Sequence, residues 1–264
     1  SDEKNLVTWA NHATGEAPYS EVRIERSTDG GGSVQIAKVS GSATSYTDPT
    51  CSADHSYRYI VRAYNESGYS ERVMTDLTFN TPSAPFKPSG QRTGDTSVEL
   101  TIPNLSRTAN ATEIQRSRDR KDWTTVATIS GKALSFGDNP GGGTFYYRAR
   151  NMRGSLVSAW SEPSEAVVTI CAPAAPTLLT PTSGEVLLVS RDKVTFTWRH
   201  NPIDGSAQSA AEVQYSTDGS TWKTVAAATA QSASVPNFAL NSTVYWRVRT
   251  KGVHADFGPW SGNS

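Results

Sequence analysis

Tyr57-Arg58-Tyr59-Ile60-Val61-Arg62-Ala63, Phe145-Tyr146-Tyr147-Arg148-Ala149-Arg150-Asn151 and Val244-Tyr245-Trp246-Arg247-Val248-Arg249-Thr250 are one strand written three times. In each, every second residue is apolar, the signature of a strand with one buried face. Each follows a second recurring string: Arg26-Ser27-Thr28-Asp29-Gly30, Arg116-Ser117-Arg118-Asp119 and Tyr215-Ser216-Thr217-Asp218-Gly219. The repeats recur at intervals of about 90 to 100 residues. That is too long for a solenoid and fits one whole small domain per repeat.

The alternation continues outward from these strands. Val7 and Trp9, then Val98, Leu100 and Ile102, then Val194, Phe196 and Trp198 each line one face of a further strand. Turn residues punctuate them at Asp29-Gly30-Gly31-Gly32, Asn139-Pro140-Gly141-Gly142-Gly143 and Asp218-Gly219. No stretch carries a sustained apolar stripe of period 3.6, so helix is expected to be near absent. The fold class predicted is all-β, three tandem β-sandwiches in an elongated array. Two proline-rich joints, Thr81–Pro88 and Cys171–Pro181, divide the chain, because proline cannot extend a ladder and stiffens a connection. The expected domains are 1–81, 82–171 and 172–264. Repeat one opens directly on the strand holding Trp9, and repeat three stops at Trp260-Ser261-Gly262-Asn263-Ser264. The first strand of the first domain and the last strand of the third are therefore expected to be missing, as in a fragment of a longer array.

Composition excludes several classes of function. The 264 residues carry a formal net charge of zero, which argues against a nucleic-acid footprint. No apolar run is long enough to span a membrane. Cys51 and Cys171 fall in different repeats and are expected not to pair. His12, His55, His200 and His254 stand in no metal-binding or triad-like setting and are expected in loops or at the surface. No phosphate-binding loop, nucleophile elbow or Cys-x-x-Cys occurs, so neither a catalytic residue nor a cofactor or metal site is predicted. Four N-x-[ST] sequons, at Asn65, Asn104, Asn110 and Asn241, are near the chance level for this composition. The strings around Asp29 and Asp218 come close to the Asp-box of sialidase-like propellers. The spacing fails around Asp218, and the string around Asp29 has the spacing but ends in Val34 where a tryptophan is needed, so both read as hairpin turns, with Trp123 and Trp222 packing across them in repeats two and three.

Taken together, Trp9 and Trp198, the Tyr-x-Tyr-x-Val-x-Ala run at 57–63 and the Trp-Ser pairs at 160–161 and 260–261 resemble the fibronectin type III family over essentially the whole chain. Repeat two departs from the pattern, with Ile102 in place of the tryptophan and three glycines before Phe145. The resemblance implies that each repeat is an immunoglobulin-like, seven-strand antiparallel sandwich, and it places the family's tyrosine corner at Tyr57 alone, since Phe145 and Val244 lack the hydroxyl. It implies no function, because the fold hosts many. The Trp-Ser pairs also resemble the Trp-Ser box of cytokine receptors, in which tryptophan stacks between arginines. Residues two apart in a strand share a face, so Arg148 and Arg150 are expected to stack on Trp160, and Arg247 and Arg249 on Trp260. Tyr64 and Tyr69 flank a loop, fit the inward pattern poorly, and mark the candidate binding loop.

The function expected is that of a non-enzymatic spacer, display and adhesion module. The setting expected is a phage tail or virion protein or a bacterial surface protein, hence an extracellular one. Its partners would be a host protein or surface glycan and the other domains of a longer parent chain. The alternatives are an accessory segment of a secreted glycoside hydrolase and an extracellular adhesion or receptor fragment.

Overall fold

The computed structural model describes residues 3–12, 18–187, 193–236 and 238–264, and it is all-β: none of these residues is helical. The first third forms β1 (Asn5–Thr8), β2 (Glu21–Thr28), β3 (Val34–Ser40), β4 (Ser45–Asp48), β5 (Ser56–Asn65), β6 (Gly68–Tyr69), β7 (Val73–Met74) and β8 (Thr78–Phe79). The second forms β9 (Ser89–Arg92), β10 (Val98–Thr101), β11 (Ala111–Ser117), β12 (Thr124–Ser130), β13 (Ser135–Asp138), β14 (Gly143–Arg153), β15 (Leu156–Val157) and β16 (Val167–Thr169). The third forms β17 (Ala174–Thr180), β18 (Lys193–Asn201), β19 (Ala210–Ser216), β20 (Lys223–Ala227), β21 (Ser232–Pro236) and β22 (Tyr245–Lys251).

The strand order repeats. In the second unit one sheet runs β13-β10-β9 and the other β12-β11-β14-β15, with β16 also on β14. The third unit has β21-β18-β17 against β20-β19-β22, and the first has β4-β1 against β3-β2-β5-β6, with β7 and β8 also on β5. Every pairing is antiparallel. The period-two residues of β5, β14 and β22 all face inward: Tyr57, Tyr59, Val61 and Ala63, then Phe145, Tyr147 and Ala149, then Trp246 and Val248 are buried. Each meets the inward residues of the opposite sheet, giving three separate apolar clusters.

Inside the first two cores lies a polar trio that the sequence reading did not anticipate. Arg26 pairs with Asp48 at 2.8 Å, and the Tyr59 hydroxyl donates to the same Asp48 oxygen at 3.0 Å. Arg116, Asp138 and Tyr147 repeat this at 2.7 and 2.9 Å. Burial works against ionisation of Asp48. Hydrogen bonds from the Thr50 hydroxyl and amide, from Arg26 and from Tyr59 outweigh it and hold the carboxyl at about 2. Burial likewise pushes the Tyr59 and Tyr147 hydroxyls upward, so both stay protonated donors. The shared register, Asn5 opposite Asp48, Val98 opposite Asp138 and Val194 opposite Val235, identifies Val235 as the third unit's counterpart of the aspartates. There the trio becomes Tyr215, Val235 and Trp246, packed with Phe196 at 4.8 Å from Trp246 and Phe238 at 5.5 Å from Tyr215. The tyrosine corner is present in the first unit, where the Tyr57 hydroxyl accepts the Ser52 amide at 3.0 Å.

His200 corrects the expectation of surface histidines. It lies on β18, 8% exposed, with Nδ1 2.8 Å from the Thr250 hydroxyl and Nε2 3.2 Å from the Ser206 carbonyl.

Removing one member of a buried ionic trio strands the others. Asp48→Ala should therefore destabilise the first unit by about 3–5 kcal/mol. The combined replacement Arg26→Tyr/Asp48→Val/Tyr59→Trp, which copies the third unit, should cost clearly less than the single change. Amide hydrogen exchange of β2 and β5 across a denaturant series measures both.

Candidate functional site

The outward face of the same strands carries the sequence-predicted residues. The guanidinium carbons of Arg148 and Arg150 each lie 4.4 Å from the Trp160 ring centroid. Arg247 and Arg249 lie 4.7 and 4.6 Å from that of Trp260. The stacks are longer than the pairs read from sequence. Trp123 sits 4.3 Å from Arg148 and Trp222 sits 4.2 Å from Arg247, so the hairpin tryptophans form the first rungs. Phe257 adds a last rung 5.0 Å from Arg249.

Cross-strand neighbours hold each guanidinium plane. Gln115 and Glu113 face Arg148 and Arg150 across β11 and β14, and Gln214 and Glu212 face Arg247 and Arg249 across β19 and β22. Arg148 donates twice to Gln115 Oε1 at 3.0 and 2.7 Å, and Arg247 twice to Gln214 Oε1 at 2.9 and 2.7 Å. Arg150 pairs with Glu113 at 2.7 Å, and Arg249 with Glu212 at 2.8 Å. Burial and the neighbouring charge of Arg150 lower the Arg148 pKa.

A serine rhythm fixes the tryptophans. The amides of Ser158, Ser161 and Ser164 donate to the carbonyls of Asn151, Ala149 and Tyr147 at 2.8–2.9 Å. Their hydroxyls accept the amides of the same three strand residues at 2.9–3.0 Å. Ser261 treats Val248 in the same way. Trp160 and Trp260 each directly precede such a serine. The spacing Ser158, Ser161, Ser164 was a signal in the sequence, one residue in three, that a search for period two passes over.

Tyr64 and Tyr69 face each other across β5 and β6, ring centroids 4.9 Å apart. Arg62 lies 4.6 Å and Arg23 4.8 Å from the Tyr69 ring, and Arg23 lies 5.5 Å from Tyr64. The first unit thus builds its own arginine–aromatic stack from different residues, and the candidate loop presents mainly the exposed edge of Tyr69. In the hairpin turns, amide hydrogen bonds hold the Asp119 and Asp218 carboxyls well below the usual range. Asp29 instead accepts the Ser56 amide at 2.9 Å and pairs with His55 at 2.7 Å within its own unit, with Arg107 of the second unit 3.6 Å away.

The densest polar constellation lies between the first two units. Asp54, in the loop after β4, is 8% exposed and has a left-handed backbone, φ 64°. Its amide donates to the Thr81 carbonyl at 2.7 Å. Its carboxylate accepts the Arg107 amide at 2.7 Å, the Thr108 amide at 3.1 Å, the Thr108 hydroxyl at 3.0 Å and the Ser106 hydroxyl. Burial opposes the charge, but these donors hold the carboxyl at about 2. Around it Asn151 donates to the Ser83 carbonyl at 2.8 Å, and Arg153 donates to the Thr108 carbonyl at 2.8 Å while lying 3.3 Å from the Phe79 ring. Nothing in the local sequence marks Asp54, because its partners lie more than fifty residues away.

A cavity of about 430 Å³ opens at the end of the third sandwich, with Phe196, Phe238, Trp246 and Glu185 among the described residues that line it. Among the described residues no group of three His, Cys, Asp or Glu side chains is placed to hold a metal.

Strand order, register and core make this chain an array of three immunoglobulin-like β-sandwiches. Residues 179–264 match the family model of the Rha78A-like, N-terminal immunoglobulin domain. Among solved structures, the FN1–FN3 domains of chicken CNTN1 align with 100% of this chain and 93% of that one, at 15% identity and a TM-score of 0.41. The sequence has no match among curated proteins.

Two measurements check these contacts. Trp160→Ala removes both apolar burial and two cation–π contacts and should destabilise the second unit by roughly 2–4 kcal/mol. An unchanged unfolding midpoint would show that the stack contributes nothing. Asp54 has a folded pKa below its unfolded value, so its contribution is complete above about pH 4 and is lost as pH falls through about 2. Between pH 5 and pH 2 the wild type should lose about 2 kcal/mol more than Asp54→Asn in denaturant titrations.

Proposed function

We propose that this segment is a non-catalytic spacer and display module, exposed at a virion or bacterial surface, that holds the parts on either side of it in a set geometry. The observation that carries this reading is Asp54. A desolvated carboxylate is a weak source of stability, but its hydrogen bonds are directional. Four donors from Ser106, Arg107 and Thr108 of the next sandwich meet it. Such a contact specifies the angle between two sandwiches, as a spacer requires. The arginines and tryptophans on the outer faces support the same reading, since each is engaged by a neighbour within its own unit.

A second reading, an accessory segment of a secreted glycoside hydrolase, draws on the family match. The Rha78A-like family is associated with glycoside hydrolases, and the matched region covers the third sandwich. Under either reading the partners are other domains of a parent chain, with a surface glycan or protein as a weak contact at Tyr69.

The test replaces the array within its parent protein by an unrelated fibronectin type III array of three domains. Attachment or assembly that survives the exchange supports a spacer. If the parent folds but attachment is lost, the array carries a specific binding site. Loss of polysaccharide hydrolysis by the parent, with attachment unaffected, supports the accessory reading.

A further inference from the structure

The two junctions of the array are built differently, and the difference follows from comparing equivalent loops. At the first junction the loop between β10 and β11 is sealed against the preceding unit. Ser106 and Thr108 are buried, and Asp54 takes donors from both and from the amide between them. At the end of β14, Asn151 adds a hydrogen bond to Ser83 in the connector, and Arg153, held by the Thr108 carbonyl of its own unit, stacks on Phe79 of the first. Contacts thus arrive from two separate loops of the second unit and from the connector, so rotation about any axis breaks several at once.

At the second junction the equivalent loop, between β18 and β19, is largely open. Ile203 is 50% exposed, and Val253, in the loop after β22, is 69% exposed. The Ile170 amide donates to the Asp95 carbonyl at 2.7 Å, and the Cys171 thiol packs on Gly142 and meets its amide, so the second unit ends at Cys171. β17 begins at Ala174, so the connector is Cys171-Ala172-Pro173. Among the described residues two polar contacts bridge the gap. The Cys171 amide donates to Asp204 at 3.1 Å, and His254 approaches Asp95, itself 60% exposed, at 3.5 Å. The first is a single hydrogen bond, against the four that Asp54 accepts at the first junction. The second is a long surface pair of the kind that contributes little. The second unit has no counterpart of Asp54 here: its loop after β13 is Asn139-Pro140-Gly141-Gly142, without a carboxylate.

We infer that the array has one fixed joint and one hinge: the first two sandwiches move as a single body, and the third turns about Cys171–Pro173. The inference rests on the spacer reading for its use, since a rod with one bend lets a terminal module search for its target while the rest keeps its bearing. Its test is independent of that reading. A domain exchange in the parent can succeed or fail whatever the joints do, and the joints can be measured in the isolated chain.

The measurement is residual dipolar couplings on the whole 264-residue protein in a weakly aligning medium. The first and second units should fit one alignment tensor, and the third should need another of smaller magnitude. One tensor of equal magnitude for all three units overturns the hinge, and separate tensors for units one and two overturn the fixed joint. Asp54→Ala should split the tensors of the first two units while leaving the amide shifts within each sandwich in place. Should that variant fail to fold, Thr108→Val, which removes one donor to the carboxylate, should split them to a lesser degree. Unchanged couplings in both variants would show that Asp54 does not hold the joint.

Discussion

Each sandwich depends on one strand that serves both of its faces. In β5, β14 and β22 the side-chain period of two sends Tyr59, Tyr147 and Trp246 into the core and turns the alternate residues to the other face, where Ile60 of β5 is itself covered. In the second and third units those outer positions hold the paired arginines. Their guanidinium planes are set from one side by Gln and Glu on the neighbouring strand and covered from the other by tryptophan. A single exposed cation–π contact is worth only about 0.5–1 kcal/mol. A stack in which each arginine meets an aromatic and a hydrogen-bond acceptor fixes rotamers that would otherwise be free. The serine-spaced segment that carries Trp160 also covers the backbone edge of β14, an edge that would otherwise be open to pairing with another chain.

The three cores show the same backbone solving one problem in two ways. Arg26, Asp48 and Tyr59, like Arg116, Asp138 and Tyr147, form a closed polar set. The third unit fills the same space with Tyr215, Val235 and Trp246, all apolar or aromatic contacts. Neither solution mixes with the other. An aspartate facing valine would be a buried charge without a partner, and an arginine facing valine likewise. The trio therefore changes as a unit between repeats. Its replacement in the third sandwich shows that the fold does not require it, in line with the observation that buried ion pairs are often exchangeable for packed apolar groups.

The fold was legible because alternation and repetition are both local signals. Val98, Leu100 and Ile102 announce a strand by themselves, and the recurrence of the string around Arg62, Arg150 and Arg249 announces three domains. The stacking positions of Arg148, Arg150 and Trp160 were legible for the same reason, since faces follow from parity. The remaining rungs were not, because Trp123 reaches Arg148 across two strands and no rule of spacing links them. The aspartates of the polar trio sit in a readable pattern, Ser45-Tyr46-Thr47-Asp48 and Ser135-Phe136-Gly137-Asp138, yet a charge at an inward position reads as a turn until its arginine is seen. His200 was misread as exposed because a polar residue at the end of a strand gives no hint of the Thr250 hydroxyl waiting for it. Asp54 gave no signal at all, for it is one polar residue in a polar loop.

That silence has a physical basis. Two sandwiches that meet end to end touch through loops, and loops offer little apolar area to bury. Hydrophobic contact is also non-directional, so a small apolar patch would join the units without setting their angle. A carboxylate can set it. The left-handed backbone at Asp54 turns the side chain out of its own sandwich, and two successive amides with two hydroxyls from the next sandwich define where its oxygens must lie. Because the carboxyl stays ionised down to about pH 2, the joint does not loosen anywhere near neutral pH. A device of this kind needs one residue in the right conformation and three ordinary residues opposite it, so it leaves almost no trace in composition or periodicity while deciding how two-thirds of the molecule is arranged.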